Sequence, residues 1–396
     1  MNILYVCHRF PFPPKRGGKI RPFNMIKHLS AHGHRVWVAS LARNQEEYDE
    51  CHGIEEFCED YFIAKITESH QWLKMILNLP IPTPSSMGYF HSRELKQKID
   101  EWLAKNNIDL IFVHCSSVAQ YVEDITHIPK ILDFGDMDSE KWLSYRAFKP
   151  FPLSWGYWWE GTKMARAERK LAAKFDLSTC TTKAELDTLN GLGSARATNW
   201  FPNGVDADYF KPDGEPYVPN SISFIGRMDY FPNQECMISF CHNTLPLIKQ
   251  QVPDVQLFIV GAEPSEEIKK LGEIQGVTVT GSVPDVRPFI LRTAAMVAPL
   301  NIARGTQNKI LEAMAMGVPV VCSSLASGGI DAVANEHFLV ADTPEEYAAN
   351  LVKLMQDTNE RSRLAESGRQ RVLDNHNWPA SMEKMRSIVE TTAQSK

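Results

Sequence analysis

Residues Ala298–Val321 read APLNIARGTQNKILEAMAMGVPVV. A short apolar run, expected as a strand over Ala295–Pro299, leads to a turn at Gly305. An amphipathic segment, Lys309–Met316, follows, and a second β-branched run, Val318–Cys322, comes after Gly317. Strand, turn, helix and strand in that order form the crossover unit of a parallel sheet. The turn leaves the amides of Thr306, Gln307 and Asn308 at a helix N-terminus. There they point outside the carboxyl ends of the strands, with the positive end of the helix dipole behind them.

The same alternation extends in both directions. Strands are expected at Ser221–Gly226, Val255–Val260, Val277–Gly281 and Phe338–Val340, with helices over Cys236–Lys249, Pro344–Met355 and Glu360–Asp374. The first half repeats it, with strands at Ile3–Cys7, Arg35–Ser40, Asp60–Ile66, Asp109–Cys115, Lys130–Phe134 and Leu177–Thr181. Between the halves, Ala197–Gly214 (ATNWFPNGVDADYFKPDG) is rich in Pro, Asn, Asp and Gly and reads as a connector. The expected class is α/β, with two Rossmann-like parallel-sheet domains over 1–200 and 201–376 facing across a cleft. A C-terminal helix over 377–396 is placed on either half, including back on the N-terminal domain.

Composition narrows the function. The 396 residues are enough for two or three domains with their own cores. Lys plus Arg number 42 against 48 Asp plus Glu, a formal charge of −6, so no global field attracts a polyanion and nucleic acid is not an expected partner. The eight cysteines form no Cys-x-x-Cys pair and read as reduced thiols of a cytoplasmic protein. MNILYVCHRF meets charge too early for a signal peptide, and no run of 18 apolar residues occurs, so the chain reads as neither exported by that route nor membrane-spanning.

Three places can carry chemistry. Gly17-Gly18 opens a helix after a proline-stiffened loop, where backbone without Cβ lets amides approach a phosphate; the same pair also serves as a plain tight turn. Arg227 follows Gly226 at the end of a strand, where a guanidinium can fork onto a diphosphate. Lys309 and Glu312 stand one turn apart, a cation for phosphates and a carboxylate for ribose hydroxyls; in isolation such a pair is an ordinary exposed ion pair.

FPNGVDADYF, FIGR, FIVG, VTVTGSV and KILEAMAMGVPVV together resemble the retaining nucleotide-sugar glycosyltransferases of family four, which have the GT-B fold. GGKIR near the start and GHRVWVAS extend the likeness over nearly the whole chain. DFGDMDSEKW, RMDYFPN and ARGTQNKILEAMA are most similar to sugar transferases of exopolysaccharide and PEP-CTERM sorting clusters. The resemblance implies that Glu312 holds the donor ribose, that Arg227 and Lys309 bind the diphosphate, that Gly18 belongs to the loop closing on the phosphates, and that Val283 ends the wall beside the base. It implies a nucleoside-diphosphate sugar as donor substrate, no cofactor, and a saccharide or lipid-linked saccharide as acceptor. Two departures weaken the expected contacts to the donor sugar: Arg304 stands where the family commonly has a glutamate, and no lysine follows Arg227 within MDYFPN.

Where many members carry a histidine, PKILDFGDMDS offers Asp133, Asp136 and Asp138 instead. Asp136 is the candidate to orient a hydroxyl or take up its proton, although Asp and Gly are also common turn formers. A retaining displacement needs no enzyme nucleophile if the acceptor attacks on the face of the leaving diphosphate, so positioning and cations carry the catalysis. The histidines and cysteines are read as offering no metal cluster, and no metal is expected. Trp155, Trp158 and Trp159 with Lys163, Arg166, Arg169 and Lys170 fit an interfacial patch at the inner membrane face. They also fit the commoner arrangement, a buried aromatic cluster followed by an amphipathic helix. Two other functions share the fold: a nucleotide-sugar epimerase, which needs dedicated acid and base groups, and a non-catalytic nucleotide-sugar-binding subunit.

Overall fold

The computed structural model describes residues 1–14, 17–66, 71, 74–75 and 77–394. It divides into two units, Met1–Pro202 with Ser381–Lys396, and Asn203–Ala380.

The first unit carries a seven-stranded, wholly parallel sheet in the order β3-β2-β1-β4-β5-β6-β7. The strands are β1 (Asn2–Cys7), β2 (Arg35–Ala42), β3 (Asp60–Lys65), β4 (Leu110–His114), β5 (Lys130–Gly135), β6 (Leu177–Cys180) and β7 (Thr198–Trp200). Its longer helices are α1 (Gly17–Ala31), α2 (Arg93–Lys105), α3 (Asp138–Arg146), α4 (Leu153–Lys174) and α5 (Lys183–Gly191). Strand β7 corrects the reading of Ala197–Gly214 as connector throughout: three residues at the sheet edge pair with β6 before the loop begins. Central strands β1 and β4 read as continuous apolar runs because helices cover both faces of a parallel sheet, and both are buried almost throughout.

The second unit has a six-stranded parallel sheet in the order β10-β9-β8-β11-β12-β13. Its strands are β8 (Val218–Ile225), β9 (Gln256–Val260), β10 (Val277–Gly281), β11 (Thr293–Ala298), β12 (Val320–Cys322) and β13 (Leu339–Val340). The helices used below are α6 (Phe231–Ser239), α7 (Asn308–Ala315), α8 (Pro344–Gln356) and α9 (Thr358–Asn375). Helix α8 starts with a full capping box, Thr343 and Glu346 exchanging bonds, behind a proline at its first position. In both sheets the order reverses beside the first strand, β1 or β8, which makes the carboxyl ends of the central strands the ligand-binding edge of each unit.

The last helix, α10 (Trp378–Gln394), belongs from Ser381 onward to the first unit. Met382, Met385, Ile388 and Val389 are buried, and the Lys384 ammonium lies 3.9 Å from the Trp200 ring centroid. No helix among the described residues is long and apolar enough to cross a membrane. All eight cysteines are free thiols, Cys58 and Cys115 half-buried and the others buried.

Candidate functional site

In the second unit the ends of β8, β9 and β11 meet the start of α7. Gly226 ends β8 so closely packed that a Cβ would lie 2.6 Å from Asn233 Nδ2 and 3.2 Å from Lys309 Nζ. Gly261, after β9, is more confined: its Cβ would sit 1.7 Å from the Gly226 carbonyl oxygen. Glycine at these strand ends lets the side chains of α6 and α7 close over the edge.

Lys309 is half-buried, its ammonium 4.3 Å from the Phe224 ring centroid and donating to Asn233 Oδ1 at 2.7 Å. The Asn233 amide in turn donates to the Arg227 carbonyl at 2.8 Å, so one asparagine fixes both the lysine and the backbone beside Gly226. Asn233 was not singled out from the sequence. Its signal was an amide on the same helix face as the apolar Cys236 and Met237, where a buried polar group needs partners. Burial pulls the Lys309 ammonium down to about 8, with Glu312 opposing the fall. Burial pushes the Glu312 carboxyl up to about 7 against the pull of Lys309. The Glu312 carboxylate makes no hydrogen bond or ion pair among the described residues, although its backbone carbonyl accepts from the Met316 amide at 3.1 Å.

The turn before α7 is held by Gly305 in the left-handed region (φ 62°) and by Gln307, whose side-chain amide donates to the Arg304 carbonyl at 3.0 Å. No side chain caps α7. Thr306 Oγ1 and Asn308 Oδ1 are buried without a hydrogen-bond partner. Unpaired amides at a helix N-terminus next to two unsatisfied polar oxygens and a half-buried ammonium make a polar cradle with a positive end. Val283, just past β10, packs partly buried against the core of this unit.

Arg227 differs from the expectation of an available cation. It is exposed and forked onto Asp229 (Nε 2.9 Å, Nη2 2.7 Å), with Nη2 also bonded to Glu263. Asp229, followed by Glu263, holds the guanidinium firmly charged.

In the first unit, Asp133 is fully buried and structural. It accepts from Arg21 (3.0 and 3.2 Å) and Thr179 (2.9 Å) and pairs with His114 at 2.9 Å. Burial raises its carboxyl, but Arg21 and His114 outweigh burial and hold it well below the usual carboxylate range. Asp136 accepts from Thr181 Oγ1 at 2.9 Å and does not line the adjoining cavity. Asp138 does: this cavity of about 300 Å³ is also lined by His8, Arg9, Ser86, Lys141 and Trp142. Burial raises the Asp138 carboxyl, and Asp136 adds to the rise while Lys141 opposes it. His8 Nδ1 and Ser86 Oγ are buried around it without a hydrogen bond among the described residues. Gly18 lies in α1, where a Cβ would meet Arg9 at an ordinary 3.8 Å, so space does not demand glycine there.

Against the expectation of no metal cluster, His28 and His32 stand at i and i+4 on α1, a metal-ligand spacing, and meet Glu383 of α10. Glu383 is already engaged by Arg386, Nε donating at 3.0 Å. In the aromatic segment, Trp155 and Trp158 are exposed rather than packed in a buried cluster. Lys163 is not an exposed cation; it is fully buried and paired with Glu160 at 2.9 Å.

With this geometry in view, residues 16–209 match the family described as Glycosyltransferase Family 4, and residues 219–357 match Glycosyl transferases group 1. The chain belongs to glycosyltransferase family four and is a glycosyltransferase. Among similar proteins is the phosphatidyl-myo-inositol mannosyltransferase of Mycobacterium tuberculosis, 24% identical over 333 residues, 80% of this chain and 82% of that one. A 44.6 kDa protein in the cps region of Klebsiella pneumoniae is 22% identical over 92% of this chain and 93% of its own length. Sucrose-phosphate synthase from Thermosynechococcus elongatus superposes with a TM-score of 0.73 at 15% identity, over all of both chains. Anabaena HepE, solved in complex with UDP, gives 0.70 at 14% identity over 99% of this chain and 100% of its own. These neighbours share the GT-B fold.

Proposed function

We propose that the protein moves a sugar from a nucleoside-diphosphate sugar onto a saccharide or lipid-linked saccharide, in exopolysaccharide assembly. The observation that supports the donor site most is the group around α7: the Lys309 ammonium against Gly226, the uncapped turn Gly305–Asn308 with its unsatisfied oxygens, and the unpartnered Glu312. Lys309 and the amides of Thr306, Gln307 and Asn308 hold the diphosphate, and Glu312 accepts from the ribose hydroxyls. Arg227 contributes after leaving Asp229 and Glu263, so its share is smaller. Gly17, Gly18 and Val283 keep their proposed places along the phosphates and base. The UDP complex of HepE and the mannosyltransferase relative support a nucleotide donor and a lipid-linked acceptor. The exopolysaccharide setting rests on the motif likeness and on the cps-region relative.

Catalysis follows from position and charge. The acceptor hydroxyl attacks on the face of the departing diphosphate, whose oxygen takes the proton, and Lys309 stabilises the charge that develops on the leaving group. Asp136 orients the acceptor hydroxyl through the carboxylate oxygen not bonded to Thr181. No metal is required. Titrating UDP, GDP, ADP and dTDP into the protein with and without EDTA tests this: one nucleotide binds, and EDTA leaves its affinity unchanged. Loss of binding in EDTA would contradict the metal-free site.

A further inference from the structure

The surface of α4 in the first unit has a use that the donor site does not absorb. Phe151 is 83% exposed, Leu153 57% and Trp155 58%, with Trp158 also exposed. Trp155 and Trp159 stack parallel at 6.4 Å, and Trp159 Nε1 donates to the Leu79 carbonyl at 2.8 Å. That bond joins the segment Leu77–Ile81 to the patch, with Leu77, Leu79 and Ile81 exposed. Soluble proteins rarely leave so many large apolar side chains in one exposed group unless something covers it.

The charge pattern says what covers it. Eleven residues make three helical turns plus about 20°, so Arg166, Arg169 and Lys170 continue the line of Trp155, Trp158 and Trp159 along one face of α4. The two groups are about 16 Å apart along the axis. Arg166 and Arg169 are exposed, and their guanidinium groups make no hydrogen bond or ion pair among the described residues. Beside this face lies a groove of about 670 Å³ lined by Lys74, His91, Arg166 and Lys170; Glu123, the one carboxylate among its described lining residues, pairs with Lys170 at 3.8 Å. Lys163 at its floor is neutralised by Glu160 and held by Ser85 Oγ at 3.1 Å. One helix face thus passes from aromatic to cationic, with Arg166 on the groove and both arginines unpaired among the described residues. An oblique approach puts the tryptophans at the boundary of headgroups and acyl chains while the arginines reach lipid phosphates.

We propose that this face of α4 docks the protein on an anionic phospholipid surface, with the groove at headgroup level to receive a lipid phosphate. The acceptor part of the inference rests on the reading above of a lipid-linked acceptor; the docking itself does not.

The test is co-sedimentation of the full chain with vesicles of phosphatidylcholine alone and of phosphatidylcholine with about one-third phosphatidylglycerol. The protein is expected to pellet with the anionic vesicles at least about tenfold more strongly, and to release at high salt. Phe151→Glu with Trp155→Glu, and separately Arg166→Glu with Arg169→Glu, each lower that binding at least about tenfold. All four positions are exposed, so the variants keep the native melting temperature and nucleotide affinity. Nucleotide binding reports separately on the donor reading. A protein that stays in the supernatant with anionic vesicles overturns the proposal, as do variants that pellet like the native chain. A native dimer in size-exclusion chromatography that Trp155→Glu disperses also overturns it, because a second copy then covers the patch.

Discussion

Lys309 and Arg227 carry the same charge in different settings, and the settings predict different mutant behaviour. The Lys309 ammonium is half-buried beside Gly226, with one neutral partner, Asn233. Lys309→Ala is therefore expected to weaken nucleoside-diphosphate binding by about ten- to a hundredfold in calorimetry, the value of a charge-assisted hydrogen bond. Arg227 must first give up two carboxylates, so Arg227→Ala costs no more than about threefold. The pair Lys309 and Glu312 also sets a pH window. Ribose hydroxyls need the ionised Glu312, which forms as pH rises through about 7; the phosphates need charged Lys309, lost as pH rises through about 8. Affinity for a nucleotide sugar, which has no phosphate proton to lose in this range, should peak between these values. Glu312→Gln should abolish the acid limb and move the alkaline one to lower pH, because the carboxylate that helps keep Lys309 charged is gone. For Asp133 the sign is the opposite of Glu312: its depressed carboxyl contributes stability above the unfolded value of 3.8 that is lost as pH falls. Asp133→Asn leaves Arg21 buried without its charge partner, and should cost about 3–5 kcal/mol in denaturant unfolding at neutral pH.

At the scale of elements, the turn before α7 is braced from outside. A Cβ on Gly329 would stand 2.1 Å from the Gly305 carbonyl oxygen, so Gly329→Ala must push that turn. Nucleotide affinity should fall at least about fivefold while Lys309 and Glu312 remain in place, because the amides no longer converge. Native affinity in Gly329→Ala would remove the turn from the donor site. The strand–turn–helix around Gly305 and α7 was legible in the sequence because its apolar runs and glycine coincide with the elements they build. Strand β7 was not: Thr198–Trp200 is three residues long in a segment full of turn formers, and its pairing is decided by β6. Asn233 and the engagement of Arg227 escaped for a related reason. Hydrogen bonding across elements has no local period. The exposure of Trp155 escaped likewise, since a helical stripe looks the same whether it meets a core or solvent.

At the scale of the molecule, two parallel-sheet units place separate chemistry at the carboxyl ends of their strands, and the C-terminal helix completes the first of them. Removing α10 would uncover Met382, Met385, Ile388 and Val389 together with their seat, so a chain ending at Asn377 should lose its cooperative thermal transition or aggregate. Retention of the native melting temperature would show that the helix adds nothing to that unit. The proposed activity requires the second unit to grip a nucleoside diphosphate through α7. The most direct measurement is calorimetric titration of UDP and GDP into the native protein and into Lys309→Ala. One of the two nucleotides should bind the native chain and lose at least about tenfold in affinity in the variant. Failure of both to bind the native protein, or equal affinity in the variant, would contradict the proposed donor site.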